Sequence, residues 1–265
     1  MRAKVLVVWA ACGFAALGAA RASEAGTALV DLSKPFEVDK DTIALYHLDD
    51  VASGEVKDAT GRGKPGRAVE ATEAEGKFGK AMNGDGTKGW VDFADLPKTE
   101  GLTGLTAECW VRFRGRAVAD LVCRTGQFMI RVPGKVHAYF WIDGQWRIVP
   151  GTKAVPLDRW THLAISWDQP TKMVSIYVDG QLDVAQEPEG ITAAKLDSGA
   201  GSMRLGGHTW EQNPMMLNGQ LDRCASRRWH ESIRRRPRRH KRSPRGLPSR
   251  RLRLKRTWPL LPSRR

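Results

Sequence analysis

Between residues 42 and 205 the chain is a succession of short apolar or alternating runs, each closed by Gly, Pro, Asp or Asn. They cover 42–48, 89–93, 105–113, 118–123, 127–132, 136–142, 146–149, 162–167, 173–178 and 203–205. Runs this short, evenly spaced and turn-punctuated predict an all-β chain folded as a sandwich or barrel. No segment sustains a helical period for more than a turn or two. Two connections are sharper still. Asp143-Gly144 and Asp179-Gly180 each sit between two such runs, and Asp-Gly at that place predicts a two-residue hairpin turn.

Alternation also assigns faces, because successive side chains of a strand point to opposite sides. Cys109, Val111 and Phe113 share one face of their run, and Glu108, Trp110 and Arg112 the other. In 118–123, Ala119, Leu121 and Cys123 line up. A hairpin centred on Arg116 would set Phe113 against Ala119, Val111 against Leu121 and Cys109 against Cys123. Those two cysteines would then be core-facing neighbours, either as a disulfide or as two buried thiols. In the run ending at Ile142, His137, Tyr139 and Trp141 share the face opposite Ala138, Phe140 and Ile142, and Trp146 follows across the turn. Such a row is either an exposed platform of flat rings or a second core face.

Composition changes the picture mainly by its unevenness. The 265 residues carry a net charge of +14, which for an evenly mixed chain would suggest a nucleic-acid partner. From Arg223 onward, however, there are 18 Lys and Arg against one acid, whereas residues 1–222 are mildly acidic at −3. Two kinds of sequence meet near Asp222. At the other end, Arg2 and Lys4 precede an apolar stretch to Ala20, and Ala20-Arg21-Ala22 offers small residues for cleavage before Ser23. This is the pattern of an export signal over 1–22, which places the mature chain in the periplasm, at the cell surface or outside the cell. No later stretch is long and apolar enough to predict a membrane-spanning helix.

The ordered motifs of residues 40–222 resemble one family. Thr42-Ile43-Ala44-Leu45-Tyr46-His47-Leu48-Asp49, then Lys57-Asp58-Ala59-Thr60-Gly61, look like the opening strand and turn of laminin-G-like, concanavalin A-like jelly-roll domains. Gly76-Lys77-Phe78-Gly79-Lys80-Ala81 with Trp90-Val91-Asp92-Phe93 is similar to its second segment. Glu108-Cys109-Trp110 matches its Glu-x-Trp strand. Residues 160–168, with Ile176-Tyr177-Val178-Asp179-Gly180, are the most specific piece, and 205–207 and 217–222 follow in family order. The resemblance implies an all-β, two-sheet antiparallel jelly-roll sandwich of the lectin/glucanase type. It also implies a role in binding sugars or proteins outside the cell. Residues 23–39 read as an N-terminal linker and 223–265 as a basic tail.

The resemblance exposes that tail. After Asp222 the family usually continues Glu-Val-Arg-Ile, where this chain has Arg223-Cys224-Ala225-Ser226. Reverse translation with one G restored before the Arg223 codon gives Glu-Val-Arg-Ile and a family-like close. This predicts a one-base shift of reading frame after Asp222, and with it the loss of an interior strand, leaving the opening strand with an unpaired edge. Read at face value instead, the Arg-rich tail would bind nucleic acid or another polyanion in a salt-dependent way, the weaker reading for an exported acidic sandwich.

Catalysis is not expected. The Glu-x-Asp-x-x-Glu string that laminarinase-type relatives carry is absent, and Asp49-Asp50 and Glu187-Pro188-Glu189 fall in turns rather than flanking a cleft. No His/Cys cluster has zinc spacing, and His47 and His162 read as structural. A glycoside hydrolase of this fold remains the alternative. The expected function is a non-catalytic binding module for glycan or an extracellular protein, with Tyr139, Trp141, Trp146 and Trp210 as ligand-binding residues. Trp110, Trp160 and Trp167 read as packing. Calcium, common on the rim of this fold, would call on Asn83-Gly84-Asp85-Gly86 and Asp92, which otherwise read as polar turn.

Overall fold

The computed structural model describes residues 31–228 except 95, 97–98, 100, 116–117, 200 and 209–214. The expected export signal (1–22), Trp210 and residues 229–265 lie outside the described residues. In chain order the strands begin β1 (Thr42–Tyr46), β2 (Glu55–Val56), β3 (Gly66–Val69), β4 (Thr72–Glu75), β5 (Lys80–Asp85) and β6 (Trp90–Phe93). Next come β7 (Gly104–Phe113), β8 (Ala119–Arg124), β9 (Phe128–Val132), β10 (Lys135–Ile142) and β11 (Gln145–Ala154). The last are β12 (Thr161–Asp168), β13 (Met173–Val178), β14 (Gln181–Gln186), β15 (Met203–Leu205) and β16 (Asn218–Arg228). The only helical element among the described residues is a single 3-10 turn, Val51–Ser53.

Two antiparallel sheets stack face to face, as expected. Sheet A runs β14-β13-β12-β7-β16-β5-β4, and β1 also pairs with β16; sheet B runs β11-β10-β9-β8-β15-β6-β3-β2. Their inner faces supply one core that includes Cys109, Val111 and Phe113 from β7 and Leu121, Ile130, Phe140 and Trp167 from β8, β9, β10 and β12. Both Asp-Gly turns form as predicted. Ile142 faces Gln145 and Val178 faces Gln181, with Asp143, Gly144, Asp179 and Gly180 all at positive φ (53°, 73°, 50° and 73°), the geometry two-residue hairpins require.

The family-like motifs turn out to be structural ties. Asp58 is almost buried, and its carboxylate accepts hydrogen bonds from the Leu45, Thr60 and Gly63 amides and the Thr60 hydroxyl, pinning β1 to the following turn. Gly76 is required by close approach: a Cβ there would sit 2.6 Å from the Lys80 carbonyl and 2.8 Å from the Asp222 carboxylate.

Three expectations are corrected. First, β7 and β8 are not a hairpin: they lie in opposite sheets, and β7 pairs with β12 and β16. Cys109 faces the core, Cys123 lies outside that core cluster, and both are free thiols, so no bridge joins them. Alternation says which residues share a face, but not whether the next strand lies beside that face or opposite it. Second, the interior strand is not lost after Asp222. β16 continues to Arg228, and Ala44, Leu45 and Tyr46 pair with Ser226, Ala225 and Cys224, so the opening strand has a partner. The residues after Asp222 can do this because Cys224 and Ala225 are small enough to be buried, and a bulge at 223–224 absorbs the misfit, with Arg223 at φ 47°. Third, the C-terminal part of the expected linker packs. Phe36 is buried on the outer face of sheet A, stacked edge-on to His162 at 5.6 Å and clustered with Trp110, Leu45 and Ala225.

Candidate ligand-binding face

The outer face of sheet B gathers the residues of interest. On β10, Val136, Ala138, Phe140 and Ile142 are fully buried in the core, while His137, Tyr139 and Trp141 point the other way and are half-buried. The row is therefore an outer face, not a second core. Trp141 stands opposite Trp146 of β11 with ring centroids 5.1 Å apart and planes perpendicular; Tyr139 meets the same Trp146 ring edge-on at 6.2 Å. Ile148, opposite Tyr139, is 48% exposed and extends the apolar surface.

The aromatic patch continues into a charged row across the strands. Arg131 of β9 lies over the Tyr139 ring at 5.1 Å and grips Asp120 of β8 bidentately through one guanidinium edge, Nε at 2.6 Å and Nη2 at 2.8 Å. Asp120 is wholly buried and also meets His208 Nδ1 at 3.1 Å. The hydrogen bond to Asp120 holds Arg131 even more firmly in its charged form. Burial, then the positive charges of Arg131 and Lys135, push His137 below the usual imidazole value, so it favours the neutral form.

Beyond β8, Arg204 of β15 donates from Nε to Asp92 of β6 at 2.7 Å and from Nη1 to the His208 carbonyl, and it stacks over Trp90 at 4.9 Å. Trp90 Nε1 donates to the other Asp92 oxygen at 2.9 Å, and Arg67 of β3 approaches that oxygen to 3.8 Å. From Tyr139 to Trp90 the row crosses four strand spacings, about 19 Å at about 4.8 Å each. Asp120, Arg131, Arg204 and His208 were not singled out from the sequence. The one available signal was a charged residue inside an otherwise apolar run, as at Asp120 in 118–123, since burying a charge demands a partner.

The remaining candidates lie elsewhere. Asp85 ends β5 in sheet A, where its Oδ1 accepts from the Thr87 amide and hydroxyl and the Lys88 amide, bonds that bring it down to about 2. Asp92 is in sheet B and engaged with Trp90 and Arg204, so the two acids do not converge as a calcium loop. Among the described residues no three His, Cys, Asp or Glu side chains cluster as ion ligands. Asp49 is tied to Arg223 and the Lys80 amide. His162 is buried beside Glu108, with Nε2 at 3.2 Å from Oε2, and Arg227 Nε donates to the other oxygen at 2.8 Å. Burial alone would raise Glu108, but the His162 hydrogen bond and the nearby charges of His162 and Arg227 outweigh it and hold the carboxyl below its usual value.

Two stacked antiparallel sheets with this strand order around an apolar interior define a jelly-roll sandwich. A family model matches residues 85–225, and the chain belongs to that family, the Laminin_G_3 group of the concanavalin A-like lectin/glucanases superfamily. Solved structures of the same fold include domain 4 of AbnA, a GH43 extracellular arabinanase from Geobacillus stearothermophilus, in complex with arabinotriose. It is 20% identical at a TM-score of 0.51 and covers 71% of this chain and 92% of its own. The binding domain of botulinum neurotoxin DC also matches. Its complex with rat synaptotagmin II has 9% identity and a TM-score of 0.51 over 75% of this chain and 51% of that one. Its complex with SialylT gives 8% and 0.50 over 72% and 48%, so this chain spans about half of the toxin domain. Among curated proteins, none matches.

Proposed function

We propose that the protein is a secreted, non-catalytic binding module that recognises a carbohydrate or an extracellular protein through the outer face of sheet B. The observation that carries this reading is the Trp141–Trp146 pair. The rings stand half-buried on the outer face, while the core takes Ala138, Phe140 and Ile142 from the alternate positions. A flat ring kept at a surface suits stacking against sugar rings or seating an apolar side chain. The carboxylates nearby, Asp120 and Asp92, are engaged by Arg131 and Arg204, a state that favours holding a ligand over donating a proton. Two solved neighbours of the fold hold arabinotriose and rat synaptotagmin II in their complexes, which agrees with either ligand class. Export rests on the pattern of residues 1–22.

Retention on immobilised polysaccharides and extracellular-matrix proteins tests this. Trp141→Ala or Trp146→Ala should weaken retention by about tenfold or more, the scale of one lost stacking contact, with the far-UV circular dichroism unchanged. Retention equal to wild type in both variants would overturn the reading.

A further inference from the structure

Sheet A brings together two cysteines that are far apart in sequence. β7 and β16 are antiparallel neighbours in which Asp222 faces Trp110 and Ala225 faces Glu108. Between those pairs, Arg223 and Cys224 together stand against the single residue Cys109, the two-against-one register of a β-bulge. The two bulge residues take different directions. Arg223 turns to the Asp49 carboxylate and the His47 and Phe78 carbonyls. Cys224 enters the inner core, the same cluster that holds Cys109, and the two residues are 1% and 0% exposed. Opposed residues of an antiparallel pair have Cα atoms about 4.5–5.5 Å apart, inside the span of about 4.4–6.8 Å that a disulfide bridges without moving the backbone. Cys123 does not compete for either partner, because it sits on β8 in sheet B, outside that core cluster.

We propose that Cys109 and Cys224, thiols in this structure, close into a disulfide joining β7 to β16 when the chain folds in an oxidising compartment. That setting rests on the export proposed above. The oxidant is an external disulfide of the thiol-exchange class. One cysteine thiolate attacks a sulfur of that disulfide, forms a mixed disulfide and expels one thiolate. The second cysteine thiolate then attacks the mixed bond at the protein sulfur and expels the other. The pair gives up two electrons, its protons pass to the expelled thiolates, and the oxidant leaves as two thiols. The step belongs to folding, before the sheets close. Burial, and then the nearby Cys109 thiol, push the Cys224 thiol well above its usual value in the folded chain, which suppresses the attacking thiolate, and the covered core keeps reagents out. The bond ties β16, at the bulge where its register slips, to the central strand of sheet A. In the reading frame restored by one G, residue 224 is Val, so the bridge is a property of the chain as it stands.

Refolding the full chain from reduced, unfolded material in a mixture of reduced and oxidised glutathione tests the bridge. Free thiols are then blocked with iodoacetamide, and trypsin leaves Cys109, Cys123 and Cys224 on separate peptides, 99–112, 117–124 and 224–227. The expected result is peptides 99–112 and 224–227 joined, about 2 Da lighter than the sum of their thiol forms, with the label on Cys123. Cys224→Ala, a side chain already accommodated next door at Ala225, should leave Cys109 labelled, and Cys109→Ala should leave Cys224 labelled. Label on both cysteines of the wild type in a fraction with native far-UV circular dichroism, or linkage of either one to Cys123, would overturn the proposal. The buffer sets the redox conditions, so this result is independent of export. Failed export shows separately, as chain retained in the producing cells with residues 1–22 uncleaved.

Discussion

Asp222 has no solvent exposure, yet its Oδ2 accepts the Phe78 amide at 2.9 Å and it anchors the 76–79 turn to sheet A. Burial outweighs that hydrogen bond and the nearby Arg223 charge, and raises its carboxyl from 3.8 to about 6. Between about pH 4 and 6 the folded chain therefore holds a proton that the unfolded chain has released. Stability from this group is full below about 4 and is lost as pH rises through 6. Asp222→Asn keeps an acceptor for Phe78 without the charge. Urea unfolding from pH 4 to 7 should show wild type losing about 3 kcal/mol relative to the variant, since two pKa units correspond to about that much. A constant difference across the range would rule this out. Asp143 works oppositely. Slight burial pulls it up, but amides of Lys195, Thr192 and Ala194 and the Thr192 hydroxyl bring it down to about 2. These bonds tie residues 192–195 to the tip of the Trp141–Trp146 hairpin. Asp143→Ala should cost about 1–2 kcal/mol in thermal unfolding and speed proteolysis within 187–197.

At the scale of elements, the hairpins were legible because Asp-Gly turns carry their own geometry: only residues tolerant of positive φ serve there. The strands missed among the apolar runs were mostly edges. β14 alternates little and is largely exposed, and β2 and β4 are short and polar, because an edge strand buries less and its pattern fades; β3, one strand in from β2, has only four residues in which to show a pattern. β16 was misjudged for another reason. Its buried polar residues, Asp222, Arg223 and Ser226, look like a strand's end until their partners are seen: Arg223 meets Asp49 at 2.9 Å and the His47 and Phe78 carbonyls. A chain stopped after Arg228 should therefore fold and stay monodisperse in size-exclusion chromatography. One stopped after Asp222 strips β1 of its partner and should aggregate. Equal behaviour of the two would show that the pairing contributes little.

For the whole molecule, the charge asymmetry still asks for an explanation, because a strand that accommodates 223–228 does not account for the 11 Lys and Arg clustered from Arg234 to Arg253. Sequencing the source DNA across the Asp222 codon should reveal one additional G, restoring Glu-Val-Arg-Ile. A sequence identical to the present one would rule out a sequencing error and leave a real one-base deletion in a decayed gene copy or a genuine basic tail.

Alternation, turn chemistry and motif order were local properties, and they determined the all-β class, both Asp-Gly hairpins and the outward face of Tyr139 and Trp141. Which strands became neighbours was not local. β7 and β8 present the same apolar faces whether side by side or stacked, and only the closing of two sheets around one core chose the second. The same step separated Cys109 from Cys123 and gathered Cys224 into the same core cluster as Cys109 instead. It also drew Arg67, Asp92, Arg204 and Asp120, from four strands as much as 137 residues apart in sequence, onto one face, because partners for buried charge are found across a sheet rather than along a chain.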